Sequence, residues 1–299
     1  MSICCQAREN LREELSSQDY ILSFSCPDQL GVVARSTSLL AESGAFVTEI
    51  SNYSDPISQT FHMRVVFDNR NLNINILDFE TEFKKLASEF QMSYQIRPKN
   101  QKPKILIAVS KYDHCLNVLL NKWKSGVLPA EICGIVSNHE DAKNISDWYE
   151  LPFYWLPITP ETKKDQEGRF QTIIDDLNID LLVLARYMQI LSEDFCERLR
   201  GKAINIHHSF LPAFPGAKPY HSAFARGVKI IGATSHYVTE ELDAGPIIEQ
   251  DIARVTHLNS IADFIEKGRD LERIVLLRAL KLHVNRKVMV YGNKTVVFS

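Results

Sequence analysis

The sequence predicts an α/β protein in two parts: a small β-α-β-β-α-β unit, then a doubly wound, mostly parallel sheet flanked by helices. Three observations predict it. The 299 residues, 45% of them hydrophobic, exceed one small domain and supply two cores. Residues 19–97 alternate between strand and helix periodicity in that six-element order. Beyond them, near-continuous apolar runs recur with helical stretches between, as buried parallel strands do.

Residues 1–18 are polar and charged, which predicts a mobile tail carrying Cys4 and Cys5. Residues 19–26 read as a strand, and Pro27-Asp-Gln-Leu-Gly31 turns the chain into a helix. Val32, Val33, Ser36, Leu39 and Leu40 fall at helical spacing there, and Gly44 ends the helix as a C-terminal cap. Strands over 46–53 and 60–67 flank a loop of turn formers at 54–58. A second amphipathic helix over 76–90 turns Ile76, Leu77, Phe79, Phe83, Leu86 and Phe90 inward, and a strand over 92–97 closes the unit. Segment 98–103, polar and bracketed by Pro98 and Pro103, reads as a linker.

Residues 104–299 form the second domain. Its buried strands are read at 104–110, 132–137, 153–158, 181–185 and 203–207. In such sheets ligands bind outside the carboxyl ends of the strands, which is where His207 falls. Strands at 230–238 and 247–255 flank a Leu-Asp-Ala-Gly-Pro turn. A long helix covers 261–284, and a hairpin turns at Gly292-Asn293.

Composition excludes several classes. A net charge of −3, with no basic stripe interleaved with aromatics, argues against a nucleic-acid partner. No apolar run approaches the roughly 18–20 residues of a membrane span. Charged residues interrupt the N-terminus where a signal peptide needs an apolar stretch. The six cysteines show no C-x-x-C spacing, which argues against a disulfide framework or a zinc knuckle and fits a cytoplasmic location.

The chemistry concentrates in two segments. Asn205 and His207, two apart on a strand, point to one face, and Asp243 sits in the later turn. An amide that holds a carbonyl oxygen, an imidazole that moves a proton and a carboxylate that orients it suit acyl or formyl transfer. Plainer readings stand beside this one: Asn205 as a strand-end cap and Asp243 as an Asx-turn residue. His208 alternates to the opposite face, which argues against a two-histidine metal site. Ser209 has no G-x-S-x-G elbow around it, so a nucleophilic serine is not expected. The roles of His208, His139 and Lys111 stay open.

Two resemblances add to this. Cys26-Pro-Asp-Gln-Leu-Gly-Val-Val-Ala34 with Leu40-Ala-Glu-Ser-Gly-Ala-Phe46 resembles an ACT domain, a ferredoxin-like amino-acid-sensing module that usually pairs side by side. That implies a homo-oligomer and an amino-acid effector near Asp28 and Gly31; pathway logic suggests glycine or methionine. As residues alone, Pro27 and Gly31 could simply make a turn. The second domain resembles the folate-dependent formyltransferase family, a Rossmann-like fold, through Asn205-Ile-His207 with Ser209-Phe-Leu-Pro212, Tyr187-Met-Gln-Ile-Leu-Ser192 and Glu241-Leu-Asp-Ala-Gly-Pro-Ile-Ile248. The resemblance implies that Asn205, His207 and Asp243 are catalytic. It implies that Arg186, Met188, Gln189, Ile190, Leu191, His236, Val238 and Thr239 line a folate pocket. No metal and no permanently bound cofactor are implied.

Within that family, Pro219-Tyr-His221 and Ser235-His-Tyr-Val-Thr-Glu-Glu-Leu-Asp243 resemble the branch that joins an ACT unit to this fold. That branch hydrolyses 10-formyltetrahydrofolate to tetrahydrofolate and formate, a source of formate for one-carbon and purine metabolism. The first βα loop, Val109-Ser-Lys-Tyr-Asp-His-Cys-Leu116, contains no glycine, whereas glycinamide ribonucleotide transformylases cradle a substrate phosphate there on a glycine-rich turn. Lys111 could still grip a phosphate, so formyl transfer to an amine remains an alternative. A non-catalytic sensor of amino acids or folate is another.

Overall fold

The computed structural model describes residues 18–212 and 219–298. The tail expected over 1–18 lies outside them, Gln18 excepted. The chain divides into two compact units, Met1–Gln101 with Phe298–Ser299, and Lys102–Val297.

The first unit runs β1 (Asp19–Pro27), α1 (Val32–Glu42), β2 (Phe46–Asp55), β3 (Thr60–Asp68), α2 (Ile76–Glu89) and β4 (Ser93–Pro98). Its strands form an antiparallel sheet in the order β2-β3-β1-β4. Alternate residues Leu22, Phe24, Met63, Val65 and Phe67 pack against Leu40, Phe79 and Phe83 of the helices. Gly31, at φ 93°, reverses the chain into α1. The Asn75 side chain caps α2 by accepting from the Asp78 N–H.

One expected inward position is corrected: Leu77 is 71% exposed; Val33, read at helical spacing in α1, is 41% exposed. Val32, Ser36 and Leu40 already form the buried stripe of α1, and Val33 lies about 100° around the helix from it. Leu77 is likewise rotated off the stripe of Phe79, Phe83 and Leu86.

The second unit opens with β5 (Lys104–Val109), α3 (His114–Lys124), β6 (Glu131–Ser137), α4 (Lys143–Trp148) and β7 (Phe153–Trp155). It continues through α5 (Lys163–Asp176), β8 (Leu181–Leu184), α6 (Glu193–Arg198), β9 (Ala203–His207) and α7 (Pro219–Ala225). It ends with β10 (Ile230–Tyr237), β11 (Ile247–Arg254), α8 (Ile261–Val284), β12 (Val288–Tyr291) and β13 (Lys294–Val297). The large sheet has the order β11-β10-β9-β8-β5-β6-β7. Strands β7, β6, β5, β8 and β9 are parallel, while β10 runs antiparallel to both its neighbours.

Both faces of this sheet are covered, and β5 shows why its sequence is apolar throughout. Ile105, Ile107 and Val109 join Leu116, Leu120 and the Val275–Leu276 part of α8 on one face. Leu106 and Ala108 join Phe170 and Phe195 on the other. The chain leaves β5 first toward β7 and later returns to build β8 and β9 on the opposite side. The carboxyl ends of β5 and β8 therefore flank the topological switch point.

Candidate active site

The parallel strand β9 and the antiparallel β10 carry the first three groups. Asn205 and His207 share a face of β9, and the register sets His236 opposite Asn205 and Thr234 opposite His207. Asn205 Nδ2 lies 3.2 Å from His236 Nε2. The β10–β11 ladder slips between Ser235 and His236, where the chain leaves for the loop bearing Asp243.

That loop folds back because of two backbone features. Asp243 adopts φ 57°, a left-handed conformation that a short polar side chain tolerates. At Gly245, a Cβ would lie 1.8 Å from the Tyr237 carbonyl oxygen, so only glycine permits this approach. The Tyr237 N–H then donates to Pro246 O at 2.9 Å. The carboxylate of Asp243 is thereby delivered between two imidazoles: Oδ2 is 3.1 Å from His207 Nδ1, and Oδ1 is 3.6 Å from His236 Nε2.

Burial alone would raise the Asp243 carboxyl. The His207 hydrogen bond, and the positive charge that His207 and His236 carry when protonated, outweigh it and hold the group well below the usual carboxylate range. An ionised Asp243 accepts from the His207 Nδ1–H, which leaves the lone pair of the neutral ring at Nε2. That Nε2 has no hydrogen-bond partner among the described residues. His236 directs Nδ1 to the Tyr237 carbonyl oxygen at 2.9 Å. With Nδ1 donating there, Nε2 accepts, which turns the Asn205 amide so that one N–H faces the ring and the second has no partner among the described residues.

Segment 186–191, after β8, forms the opposite wall. Arg186 enters it at φ 67°, and its carbonyl accepts from the Ser110 N–H at 3.2 Å. The Ser110 hydroxyl accepts from Met188 N at 3.0 Å and donates to Asn138 Oδ1 at 2.7 Å. The Tyr187 hydroxyl accepts from Gln166 Nε2 at 2.8 Å, and Ser192, which caps α6, donates its N–H to Glu167 Oε1 at 2.8 Å. With its backbone pinned at both ends, the segment encloses a cavity of about 350 Å³.

Asn205, His207 and Asp243 line this cavity. So do Arg186, Met188, Gln189, Ile190 and Leu191 on one side and His236, Val238 and Thr239 on the other. The structure brings every catalytic and folate-pocket residue read from the sequence to one cavity. It adds Leu184 and Cys196, which lie outside every motif, and Tyr187, Ile206, His208, Glu240 and Leu242, which the motifs contain but to which the sequence assigned no pocket role. The expected opposition of His207 and His208 is corrected. β9 ends at His207, strand alternation stops there, and the two rings meet edge to face with centroids 5.1 Å apart. His114, Cys115 and Glu272 bring ligand-type atoms within 4.8 Å of one another, but the carboxylate there already serves Tyr220 and Arg186.

Residues 103–280 match the family model of the formyl transferases. The formyltetrahydrofolate deformylase of Synechocystis sp. is 46% identical over 278 residues, covering 93% of this chain and 98% of that protein. The chain belongs to the formyltetrahydrofolate deformylase family. A crystal structure of a formyltetrahydrofolate deformylase from Pseudomonas syringae pv. tomato superimposes with a TM-score of 0.92 at 42% identity, covering 98% of this chain and all of that one. The phosphoribosylglycinamide formyltransferase of Coxiella burnetii matches 66% of this chain and 94% of its own, with a TM-score of 0.62 at 27% identity. The likeness to the deformylases thus spans both units, whereas the likeness to the transferase is confined to part of the chain.

Proposed function

We propose that this chain hydrolyses 10-formyltetrahydrofolate to tetrahydrofolate and formate, with Asn205, His207 and Asp243 as its catalytic residues. The observation that carries the reading is the convergence of amide, imidazole and carboxylate in one cavity of about 350 Å³, in a chain that matches a deformylase over 93% of its length. Segment 186–191 with His236, Val238 and Thr239 would receive the pterin, largely through backbone groups.

The steps follow from the geometry. A water attacks the formyl carbon and gives its proton to His207 Nε2, while Asp243 stabilises the imidazolium that forms. The free N–H of Asn205 receives the developing oxyanion, worth about 3–4 kcal/mol for a single donor in other enzymes. The bond from carbon to N10 then breaks, His207 returns its proton to N10, and formate and tetrahydrofolate leave. Side chains alone carry these steps, and no resident cofactor enters them.

The first unit, over about residues 19–97, we read as a regulatory ACT-like domain joined by a linker at 98–103 to the catalytic domain at 104–299. Its β-α-β-β-α-β order and antiparallel sheet support that reading, as does a surface depression lined by Asp28, Gly31 and Phe61. A glycine or methionine effector and pairing of subunits belong to the same reading. So does a cytoplasmic location; no helix among the described residues is long and apolar enough to cross a membrane.

Pure protein incubated with 10-formyltetrahydrofolate and no amine tests the activity. Stoichiometric formate is expected; tetrahydrofolate that appears only after a phosphorylated amine is added, with the formyl group on that amine and no free formate, would contradict it.

A further inference from the structure

Glu272 lies on α8, is 1% exposed, and carries no part of the proposed chemistry. Its carboxylate gathers groups from three separate segments of the second unit. Oε1 accepts from the Tyr220 hydroxyl of α7 at 2.7 Å. Oε2 meets His114 Nε2, at the start of α3, at 2.8 Å and Arg186 Nε at 3.3 Å. One turn earlier on the same helix, a Cβ at Gly268 would lie 2.1 Å from Tyr220 Cζ. The helix therefore gives up a side chain to let the Tyr220 ring reach Glu272.

Arg186 depends on this carboxylate more than the other partners do. Its Nε is buried and makes no hydrogen bond, and its ion pair among the described residues is with Glu272. The guanidinium otherwise rests on the Tyr112 ring, 5.6 Å from the centroid. Burial would raise the Glu272 carboxyl, but the His114 hydrogen bond and the Arg186 charge pull it below its ordinary range, so the pair is ionised. Arg186 is also the left-handed residue, φ 67°, through which the chain enters the cavity wall. A non-glycine residue holds that conformation only when its surroundings over-determine it.

We infer that Glu272 is a positioning residue for substrate binding: by anchoring Arg186 it fixes the entry of segment 186–191 into the folate pocket. The inference rests on the folate reading of that pocket and names the group that shapes its wall from behind. Removing the charge frees Arg186 to leave its buried seat, and the backbone it leads moves with it. Asn205, His207 and Asp243 stand on β9 and the β10–β11 loop and meet this anchor at one remove, through the His208 ring that packs edge to face on Tyr220 at 6.0 Å and on His207 at 5.1 Å. Arg186 in the cavity wall is the direct partner, so binding should suffer before chemistry does.

The test is steady-state formate release from 10-formyltetrahydrofolate, with folded protein quantified by thermal melting. Wild type is measured first; no formate from it would contradict the functional reading itself. Glu272→Gln is expected to raise KM at least tenfold with kcat within threefold of wild type. His114→Gln, which spares the Arg186 pair, is expected to leave KM within twofold. If Glu272→Gln fails to fold, Glu272→Asp keeps the charge but withdraws it by one methylene, and should raise KM at least threefold. A lowered melting temperature with unchanged KM, or an equal KM rise in His114→Gln, would overturn the inference while leaving the hydrolase reading intact.

Discussion

Asp243 is placed between two imidazoles, and only one of them has its second nitrogen unpartnered. His207 therefore emerges as the base and His236 as the group that orients Asn205, a division that residue types alone do not reveal. Asp243→Asn keeps the size of the side chain but offers His207 no anion, so the Nδ1–H tautomer loses its partner. The expected result is a fall in kcat of about 10²–10⁴ with KM little changed, read from initial rates of formate release. The depressed Asp243 carboxyl also fixes a pH dependence. Its contribution to stability is complete above the unfolded aspartate value of about 3.9 and is lost only as pH falls below it. Urea unfolding from pH 5 to pH 3 should show the stability gap between wild type and Asp243→Asn intact at pH 5 and shrinking at the acid end.

At the scale of elements, two glycines do the placing. Gly245 lets the Asp243 turn press against the Tyr237 carbonyl, the same oxygen that fixes the His236 ring. Gly245→Ala should lower kcat at least tenfold in the formate assay. Gly268→Ala would ordinarily stabilise a helix interior by about 1 kcal/mol. Here it collides with Tyr220, so melting should show destabilisation instead. Neither glycine was flagged from the sequence as a packing site, because a close approach between distant segments leaves no local pattern. The strands of the large sheet were legible because burial on both faces makes them continuously apolar, as in β5. The cavity residues were legible because they sit in three compact motifs. Glu272, Tyr220 and His114 were not joined in advance, since no spacing links residues brought together by the packing of α8 on one face of the sheet.

For the whole molecule, acid sensitivity also comes from a part-buried ring near the C-terminal end of α8. His283 accepts a 2.7 Å contact from the Tyr237 hydroxyl, and burial, with help from Arg286, pulls its pKa down to about 4. A folded-state value below the unfolded one of about 6.5 means that the unfolded chain takes up the proton first. Stability from this group is full above about pH 6.5 and declines toward pH 4 by about 3 kcal/mol, then levels off. His283→Gln should flatten that part of the curve in chemical denaturation.

The central claim is that water, activated by His207, is the nucleophile. Turnover of 10-formyltetrahydrofolate in ¹⁸O-labelled water tests it most directly. The account predicts formate carrying one oxygen from solvent, with tetrahydrofolate in equal amount and no amine present. Absence of solvent oxygen from the released formate, or turnover that requires an amine acceptor, would contradict it.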